Sequence, residues 1–562
     1  MPPIAARAPL AYIDQPDDST FDAPSAFRSP NTSLICSPPS PIAVGAKWRW
    51  LLPIFSGAFL ALAFPCHPDS PLAFLHGGAW ALVALVPLLV TLSRQSAREG
   101  FRSGWVTGSV WSLLSLYWIA YTQGGGPAVV GGTLLIAVYM GLFTGLFAAC
   151  HCVLMRGGER WTGLLLTPCV WTAVEYLQTL GELGFPWLLL GNSQAAFTGF
   201  IQYAEYTGVY GVSSQVVLVN VLLFAIVLQS ENNTRRTVGA VGLCLVAVIG
   251  PWAFGHHVLA STAAGDNIVR VGLIQNNVGR EKWKPGGLQR SLASLDSLSR
   301  LAVADGADLL VWPETALPCY VSGKSACRQR IEALVRELQV PILTGAPEVK
   351  GATREHYNSA FLFTGGPLPP QSYAKMHLVP FGERTPFRDS IPLVRDIDWS
   401  ALTGDLGSAE FAPGVEHTLF QHPKGAFSVL ICFESAFPDL VRRSAGAGAK
   451  FLIIITNDSW FGRTAGPYQH AQLAILRAVE TRTAIARCAT SGISLFIDRY
   501  GRTTRATGLF EQAVRVADVS LSEGDTFYTR HGDLFAWACL LAAVVGLTVV
   551  SVSGRYRGSG ER

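Results

Sequence analysis

The hydrophobic residues of this 562-residue chain are concentrated in two regions, one ending near Phe254 and one beginning near Leu534. Hydrophobic residues make up 49% of the chain and charged residues only 15%, yet the part between these regions has the charge density of a soluble domain. One soluble globule could not bury so many long uncharged runs. The pattern therefore predicts membrane helices joined to a soluble domain.

Eight segments approach the roughly 20 mostly apolar residues that a spanning helix needs. Seven precede the soluble region and one follows it: 48–64, 78–92, 104–121, 129–155, 163–180, 211–228, 238–254 and 534–552. The second is short, and the fifth contains Glu175. The expected fold class is a multispanning membrane domain of eight helices with an α/β domain inserted before the last.

Basic residues fall in alternate connections of these helices: Lys47 and Arg49; Arg94, Arg98 and Arg102; Arg156 and Arg160; Arg235 and Arg236; Arg555, Arg557 and Arg562. The loops 65–76, 122–127 and 181–210 contain no Lys or Arg. Because cytoplasmic loops carry the basic excess, both termini are predicted to be cytoplasmic. The region from about His256 to Arg530 is then extracytoplasmic.

Four parts follow from this division. Residues 1–46, rich in Pro, Ser, Ala and Asp, are predicted to be a disordered tail. Residues 47–256 form the seven-helix membrane domain, 257–525 the catalytic domain, and 526–562 the last helix with a cytoplasmic tail. The tail is too long and too poor in basic charge for a typical signal peptide, so the first apolar segment is expected to remain as an anchor.

Strand-like and helix-like runs alternate in the soluble region, which predicts an α/β-layered domain. The predicted strands are 269–275, 309–312, 341–345, 359–364, 427–431, 450–456, 492–498 and 513–519. The predicted helices are 287–304, 328–338, 438–445 and 469–486.

Three segments of this domain contain side chains that could take part in catalysis. Cys432 follows the apolar run 427–431, Glu314 follows the run 309–313, and Lys375 lies in a segment with few acidic neighbours. A thiol of ordinary pKa is only a few per cent thiolate at neutral pH, so it needs a base or a nearby cation. Glu314 and Lys375 suit these two roles, although a lone cysteine at a strand end is more often an inert core residue.

The ordered Glu314, Lys375 and Cys432 motifs resemble the catalytic triad of the nitrilase superfamily. This resemblance implies an αββα sandwich of two sheets. It also implies that Glu314 is the general base, that Lys375 stabilises the tetrahedral intermediate, and that Cys432 forms a thioester.

Three neighbouring residues are candidates for supporting roles. Glu383 could orient Lys375 or a bound amine, or it could be a solvated loop acid. Glu434 carries the same two alternatives. The Phe433 amide is a plausible donor to an oxyanion.

Four residues are candidates for substrate binding. Trp283 is either a surface aromatic or a wall of an acyl pocket, and its neighbours Lys282 and Lys284 would suit a phosphate headgroup. Asn358 is expected to border the site. The segment 387–402, which includes Phe387 and Trp399, has too many apolar side chains for a plain connection, so we expect a lid or a loop that dips into the membrane.

Four short motifs extend the resemblance over roughly residues 48–552: Gly184-Phe-Pro-Trp187, Trp312-Pro-Glu-Thr315, Phe381-Gly-Glu383 and Cys432-Phe-Glu434. Together with the membrane segments, they resemble the bacterial apolipoprotein N-acyltransferase family. Members usually carry tyrosine where this chain has Phe433, so a hydroxyl role there is in doubt.

This resemblance implies a two-step reaction at the bacterial inner membrane. Cys432 takes a fatty acyl chain from the sn-1 ester of a phospholipid, typically phosphatidylethanolamine, and passes it to the α-amino group of a diacylated lipoprotein. No cofactor or metal is expected, because the sequence has no GxxxxGK[ST], HExxH, GxSxG or CxxC motif. A net charge of +4 gives no case for nucleic-acid binding.

Two other functions stay open. A membrane-tethered nitrilase or amidase that hydrolyses a small amide would use the same triad, and a transporter or receptor could carry an inactive copy of the domain. Cys319 and Cys327 stand eight residues apart in a region expected to be oxidising, so a disulfide between them is a further alternative.

Overall fold

Apolar helices form the first part of the structure. The computed structural model describes residues 47–157, 160–229, 234–261, 267–321, 323, 325–351, 354–366, 369–395 and 410–559. The predicted tail, 1–46, lies outside these ranges. The helices of the first part are α1 Trp48–Leu62, α2 Val86–Leu92, α3 Ala97–Leu116, α4 Gly126–Gly157, α5 Arg160–Gln178, α6 Ala204–Gln229 and α7 Thr234–Ala260.

Not every predicted span is one long helix. Within the described ranges, four helical segments are long and apolar enough to cross a membrane: Gly126–Arg156, Ala204–Leu228, Thr237–Ala260 and Leu534–Ser553. The second predicted span is instead a 3₁₀ turn, Gly78–Leu82, followed by the seven-residue α2. Pro87, near the start of α2, has no N–H to extend the helical hydrogen bonds into the preceding residues.

Glu175, the acid in the fifth predicted span, is buried against protein. It accepts hydrogen bonds from the Trp171 indole at 2.8 Å and from the Leu190 amide at 2.7 Å. A buried carboxylate is tolerated when such donors replace water. The acid therefore does not prevent α5 from forming.

The α/β domain follows α7. Its helices are α8 Gly287–Ala304, α9 Ala326–Leu338, α10 Pro392–Arg395, α11 Pro438–Gly446, α12 Gly466–Thr481 and α13 Phe527–His531, before the final apolar helix α14 Leu534–Ser559. Its strands are β1 Ile268–Gln275, β2 Leu309–Val311, β3 Ile342–Lys350, β4 Glu355–Phe363, β5 Gln371–Ala374, β6 Leu419–Phe420, β7 Phe427–Ile431, β8 Phe451–Thr456, β9 Ile485–Ala489, β10 Leu495–Ile497, β11 Thr503–Thr504 and β12 Ala513–Ser520.

These strands form two six-stranded sheets, in the orders β12-β1-β2-β3-β4-β5 and β11-β10-β9-β8-β7-β6. The inner strands β1, β2 and β3 run parallel, as do β7, β8 and β9. The inner strands are short apolar runs, which is typical of sheets covered on both faces. The carboxyl ends of parallel strands share one edge, where ligands commonly bind.

The layers follow from three clusters of buried side chains. Val271 and Val311 of the first sheet pack with Val429 and Ile453 of the second, so the sheets lie face to face. Helices α8 and α9 cover the outer face of the first sheet. Helices α11 and α12 cover the second, which completes an αββα sandwich.

One predicted element was wrong. The expected helix 469–486 ends at Thr481, and Ile485–Ala489 is the buried central strand β9. Arg482 adopts φ 49°, a left-handed conformation that ends the helix and reverses the chain. The run after it is apolar at nearly every position, so helical and strand periodicity could not be told apart.

The outer face of α12 packs on the membrane helices. The side chain of Gln469 accepts hydrogen bonds from the indoles of Trp118 at 3.0 Å and Trp187 at 2.9 Å. It also donates to the Ser115 carbonyl oxygen at 3.0 Å. The helix that covers the second sheet is thus joined directly to the apolar part of the chain.

Candidate functional site

Cys432 lies where β7 turns sharply into a short 3₁₀ helix, Cys432–Ala436. Its φ of 55° is a left-handed value that a cysteine rarely adopts. The side chain is partly exposed, whereas β7 before it is buried throughout. A buried strand therefore leads directly into a partly exposed cysteine.

Glu314 lies just beyond the end of β2, and both of its oxygens accept hydrogen bonds. Asn358 donates to one oxygen at 2.7 Å, and the Asn457 amide donates to the other at 2.9 Å. The backbone of Gly345 passes so close that a Cβ on it would lie 2.7 Å from the Cα of Glu314. Glycine at this position makes room for the carboxylate.

Lys375 follows β5 and is completely buried between two carboxylates. Its Nζ lies 2.9 Å from Glu383 and 3.6 Å from Glu314. Burial alone would lower the pKa of Lys375, but the charges of Glu383 and Glu314 outweigh it, and the pKa is raised. The lysine therefore stays an ammonium.

Glu314 and Lys375 both change the pKa of the Cys432 thiol. Burial raises the pKa of Cys432, the Glu314 carboxylate raises it further, and the Lys375 ammonium lowers it in part. At neutral pH the sulfur therefore carries its proton. A nucleophilic step needs a base to remove this proton, and Glu314 is the acid whose charge acts most strongly on the thiol.

Glu383 and Asn358 organise this cluster. The Asn358 side chain donates to Glu383 at 3.0 Å as well as to Glu314. The backbone carbonyl oxygen of Asn358 accepts from the Lys375 backbone amide at 2.8 Å. Glu383 also accepts from the Val379 amide at 2.8 Å. Asn358 thus bridges the two carboxylates, and its amide group is used within the protein.

Glu434 is fully buried and braces the backbone around the site. It accepts from the Tyr373 hydroxyl and the amides of Met376 and Ile431, each at 2.7 Å. Burial raises the pKa of Glu434 to about 7. Since these donors lie on either side of Lys375 and just before Cys432, Glu434 fixes the two segments to each other.

The Phe433 ring points toward the membrane helices rather than along the triad. Its centroid lies 5.8 Å from the Phe185 ring and 6.4 Å from the Trp187 ring. The loop that contains these two aromatics includes the Gly184-Phe-Pro-Trp187 motif. The nucleophile turn is thus in contact with the apolar part of the chain.

The remaining predicted binding residues are less closely tied to this cluster. Trp283 is 56% exposed, and Phe387 is 38% exposed. The Phe387 amide donates to the Glu182 carboxylate at 2.7 Å, which links the start of the expected lid to the loop after α5. Trp399 lies outside the described residues. Within the described ranges, no group of three or more His, Cys, Asp or Glu side chains could hold a metal ion.

One expectation about Lys282 was wrong. We expected it to suit a headgroup at the surface, but the side chain is buried and its ammonium donates to the Thr315 carbonyl oxygen at 2.5 Å. Burial lowers the pKa of Lys282 to about 8, and the charge of Glu314 opposes this change. A second lysine, besides Lys375, therefore lies near enough to Glu314 for its charge to be felt.

Sequence reasoning also missed a buried pair behind the nucleophile. His470 Nε2 lies 3.1 Å from the Cys432 carbonyl oxygen, and His470 Nδ1 lies 2.8 Å from Asp458. Asp458 is the acid of this pair. Its position just after β8, at the edge that holds Cys432, was the one available signal.

The Cys319–Cys327 disulfide, which the sequence left open, is present. It closes the loop that follows Glu314, ahead of α9. The cross-link therefore restrains the segment next to a catalytic candidate.

Comparison with known families and proteins agrees with this arrangement. Residues 56–222 match the family described as apolipoprotein N-acyltransferase N-terminal domain, and residues 270–527 match the carbon-nitrogen hydrolase family. A curated apolipoprotein N-acyltransferase from Geobacter metallireducens is 38% identical over 88% of this chain and 94% of its own length. One from Chlorobaculum tepidum is 35% identical over 90% of this chain and 97% of its own.

The chain is also similar to solved structures over about half of its length. A member of branch 10 of the nitrilase superfamily from Saccharomyces cerevisiae has a TM-score of 0.36 and 19% identity, and covers 46% of this chain and 93% of its own. An amidase from Nesterenkonia sp. has a TM-score of 0.35 and 20% identity, over 49% of this chain and 95% of its own.

Proposed function

The chain belongs to the apolipoprotein N-acyltransferase family, and from this premise we propose how its α/β domain moves an acyl chain. It is an acyltransferase of the nitrilase superfamily that acts on lipoproteins in a membrane setting. The proposal concerns the donor, the acceptor, the roles of individual residues and the arrangement in the bilayer.

In the first step, Glu314 takes the proton of Cys432 and the sulfur attacks the sn-1 ester carbonyl of a phospholipid such as phosphatidylethanolamine. The carbonyl oxygen becomes an oxyanion, which the Lys375 ammonium and the Phe433 amide stabilise. The intermediate collapses as the C–O bond breaks. Glu314 returns the proton to the leaving lysophospholipid oxygen, and a thioester remains on Cys432.

In the second step, the α-amino group of an S-diacylglyceryl-cysteine lipoprotein attacks the thioester carbonyl. Glu314 accepts a proton from this amine, and the C–S bond breaks. The proton then restores the thiol, and the product carries an amide-linked acyl chain. A thioester suits this relay because an amine displaces a thiolate more readily than an alkoxide.

The cluster around Lys375 is the observation that carries this proposal. A buried ammonium lies between Glu314 and Glu383, and its charge lowers the pKa of the Cys432 thiol while Glu314 raises it. These groups are one base, one cation and one nucleophile in a single cluster. Covalent acyl transfer needs that set of groups.

We further propose that eight segments cross the membrane, that both termini are cytoplasmic, and that the α/β domain is extracytoplasmic. Two observations support this arrangement: the alternation of loops with and without Lys or Arg, and the four long apolar helices. The four-part division at residues 46, 256 and 525 remains a prediction. The segment that begins at Phe387 would lie at the membrane surface as a lid.

The experiment follows an acyl label in the purified full-length protein. A phospholipid labelled in its sn-1 chain should label Cys432, and a synthetic diacylated lipopeptide with a free α-amino group should then remove the label as an amide. Cys432→Ala should abolish both steps. Cys66→Ala is the matched control, because Cys66 is also a free and partly exposed cysteine.

Two results would contradict the proposal. Full activity of Cys432→Ala would exclude the thioester. Label released only as free fatty acid, with none on the lipopeptide, would favour the hydrolytic alternative, a membrane-tethered nitrilase or amidase.

A further inference from the structure

Behind Cys432 lies a fully buried ionic group that the reaction described above does not use. Asp458 Oδ1 lies 2.8 Å from His470 Nδ1, and Asp458 Oδ2 lies 2.9 Å from an Arg487 amino group. All three side chains are inaccessible to solvent. Buried ions of this kind are costly unless each finds a partner.

The His470 ring lies between two hydrogen-bond acceptors. An ionised carboxylate only accepts, so the ring nitrogen facing Asp458 must carry a proton. The other ring nitrogen, Nε2, faces the Cys432 carbonyl oxygen at 3.1 Å, and a carbonyl also only accepts. As an imidazolium, His470 would donate from both nitrogens and satisfy both acceptors.

Asp458 is held in the ionised form that this arrangement needs. Burial alone would raise the pKa of Asp458, but Arg487 and His470 hold it well below its ordinary value. Arg487 is itself fixed by a hydrogen bond of 2.5 Å to the Ile493 carbonyl oxygen. The imidazolium therefore keeps its counterion without water.

The Cys432 carbonyl accepts a second hydrogen bond, from the Ser435 hydroxyl at 2.9 Å. The same hydroxyl lies 3.2 Å from His470 Nε2 and can accept from it. Two donors, one of them cationic, therefore act on a single carbonyl oxygen. Hydrogen bonds to a charged donor are shorter and stronger than neutral ones.

The carbonyl of Cys432 and the N–H of Phe433 are the two ends of one peptide group, joined by resonance. Drawing electrons toward the carbonyl oxygen makes the N–H at the other end a stronger donor, as in chains of hydrogen bonds. Phe433 is the second residue of the helical turn, where N–H groups have no partner inside the helix. This N–H is the proposed oxyanion donor.

We propose that His470, held by Asp458, is a positioning residue that polarises the Cys432–Phe433 peptide and so strengthens its N–H toward the oxyanion. The inference rests on the proposed function, because it presumes that a tetrahedral oxyanion forms at Cys432. His470 touches neither substrate nor sulfur in this scheme. It acts only through the peptide.

Two reactions of Cys432 separate this role from a structural one. Acylation by a phospholipid passes through an oxyanion, whereas alkylation by iodoacetamide is a direct displacement and forms none. Both need the thiol in place and accessible. Only the acylation needs the polarised N–H.

The experiment measures both rates in the full-length protein in detergent micelles. His470→Gln keeps a neutral donor near the carbonyl but removes the positive charge. Asp458→Asn, the second variant, removes the counterion with little change in volume. Loss of a whole oxyanion donor slows an enzyme by roughly 10² to 10³, so weakening one should slow acylation by about tenfold, with alkylation changed by less than about twofold.

His417→Gln is the matched control, because the His417 ring hydrogen-bonds the Ser444 hydroxyl and lies off the turn that holds Cys432. Acylation and alkylation slowed by the same factor would overturn the inference and assign His470 a structural role. Unchanged acylation in both variants would overturn it as well. Failure of the proposed function itself is a separate result, namely a wild-type Cys432 that takes up no acyl label.

Discussion

The Lys375 ammonium lies 2.9 Å from Glu383, closer than its 3.6 Å separation from Glu314. Glu383 thus forms the tighter ion pair with the lysine. Glu314 is left with two hydrogen bonds from Asn358 and Asn457. This asymmetry fits the proposed division of roles, in which Glu383 holds the cation and Glu314 accepts and releases protons.

Replacing Glu383 with glutamine should test this division of roles. Without its tight partner, Lys375 should move onto Glu314 and make it a weaker base, so thioester formation should slow by at least about tenfold. Removing one member of a buried ion pair typically costs about 3 to 5 kcal/mol, so the melting temperature should also fall. Rates of Cys432 acylation and thermal unfolding in detergent would measure both effects.

Glu348→Gln is the control for Glu383→Gln. Glu348 is also buried and pairs with a lysine, Lys350 at 3.1 Å, but that lysine is exposed. Its loss should leave acylation unchanged. An acylation rate equal to wild type in Glu383→Gln would refute the division of roles between the two acids.

The pH dependence of Cys432 alkylation should report the charges around the thiol. Burial and the Glu314 carboxylate raise the pKa of Cys432, and Lys375 lowers it in part. Glu314→Gln removes a negative charge, so the alkylation profile should move to lower pH. Lys375→Met removes a positive charge, so the profile should move to higher pH, each by about one unit or more.

The measurement is the rate of iodoacetamide labelling across the pH range in which the protein stays folded. The midpoint of the curve of rate against pH reports the pKa of the thiol. The plateau rate is not compared, because Glu314 can also speed the reaction as a base. Shifts of the same sign in both variants would show that the three groups do not share one electrostatic site.

Much of the α/β fold could be predicted because its elements carry strong periodic signals. The predicted bounds of α8, 287–304, agree with the structure, and β1 differs by one residue at its start. The same reasoning failed after Thr481, where an apolar run fits a helix or a strand equally well. In the structure, the left-handed backbone of Arg482 ends the helix before this run. An arginine in the sequence does not indicate a left-handed conformation.

The candidate site was predictable where a motif ends a strand, as at Glu314 and Cys432. It was not predictable where side chains meet from distant elements. His470 lies 38 residues after Cys432 on a helix, and only the packing of α12 against the second sheet brings the two together. The burial of Lys282 could not be predicted, because a lysine is rarely fully buried. Its hydrogen-bond partner is a backbone carbonyl oxygen, which the sequence does not reveal.

Gln469 should be important for attaching α12 to the membrane helices. Gln469→Leu would leave the buried indole N–H groups of Trp118 and Trp187 without their acceptor. Each buried donor left unpaired costs about 1 to 3 kcal/mol, so the loss of both should lower the free energy of unfolding by about 2 to 6 kcal/mol. Thermal unfolding in detergent, followed by tryptophan fluorescence, would detect the change.

Gln472→Leu serves as the comparison for Gln469→Leu. Gln472 lies one turn further along α12, is half-buried, and makes one hydrogen bond, to the Asn192 carbonyl oxygen at 2.7 Å. Its replacement should cost less than about 1.5 kcal/mol. Equal losses in the two variants would mean that the indole contacts add nothing beyond ordinary packing.

The Cys319–Cys327 disulfide should stabilise the fold without taking part in the reaction. The bridge closes a loop with a sequence separation of eight, for which the chain-entropy relation gives about 2.5 kcal/mol. The double variant Cys319→Ser/Cys327→Ser should unfold more easily by about that amount.

The acylation rate of this double variant at low temperature should stay within about twofold of wild type, because the bridge lies in the loop after Glu314 and contributes no group to the triad. Adding a reductant to the wild-type protein should reproduce the loss of stability, and the double variant should be insensitive to it. A large loss of acylation at a temperature where the variant remains folded would mean that the bridge also holds Glu314 in place.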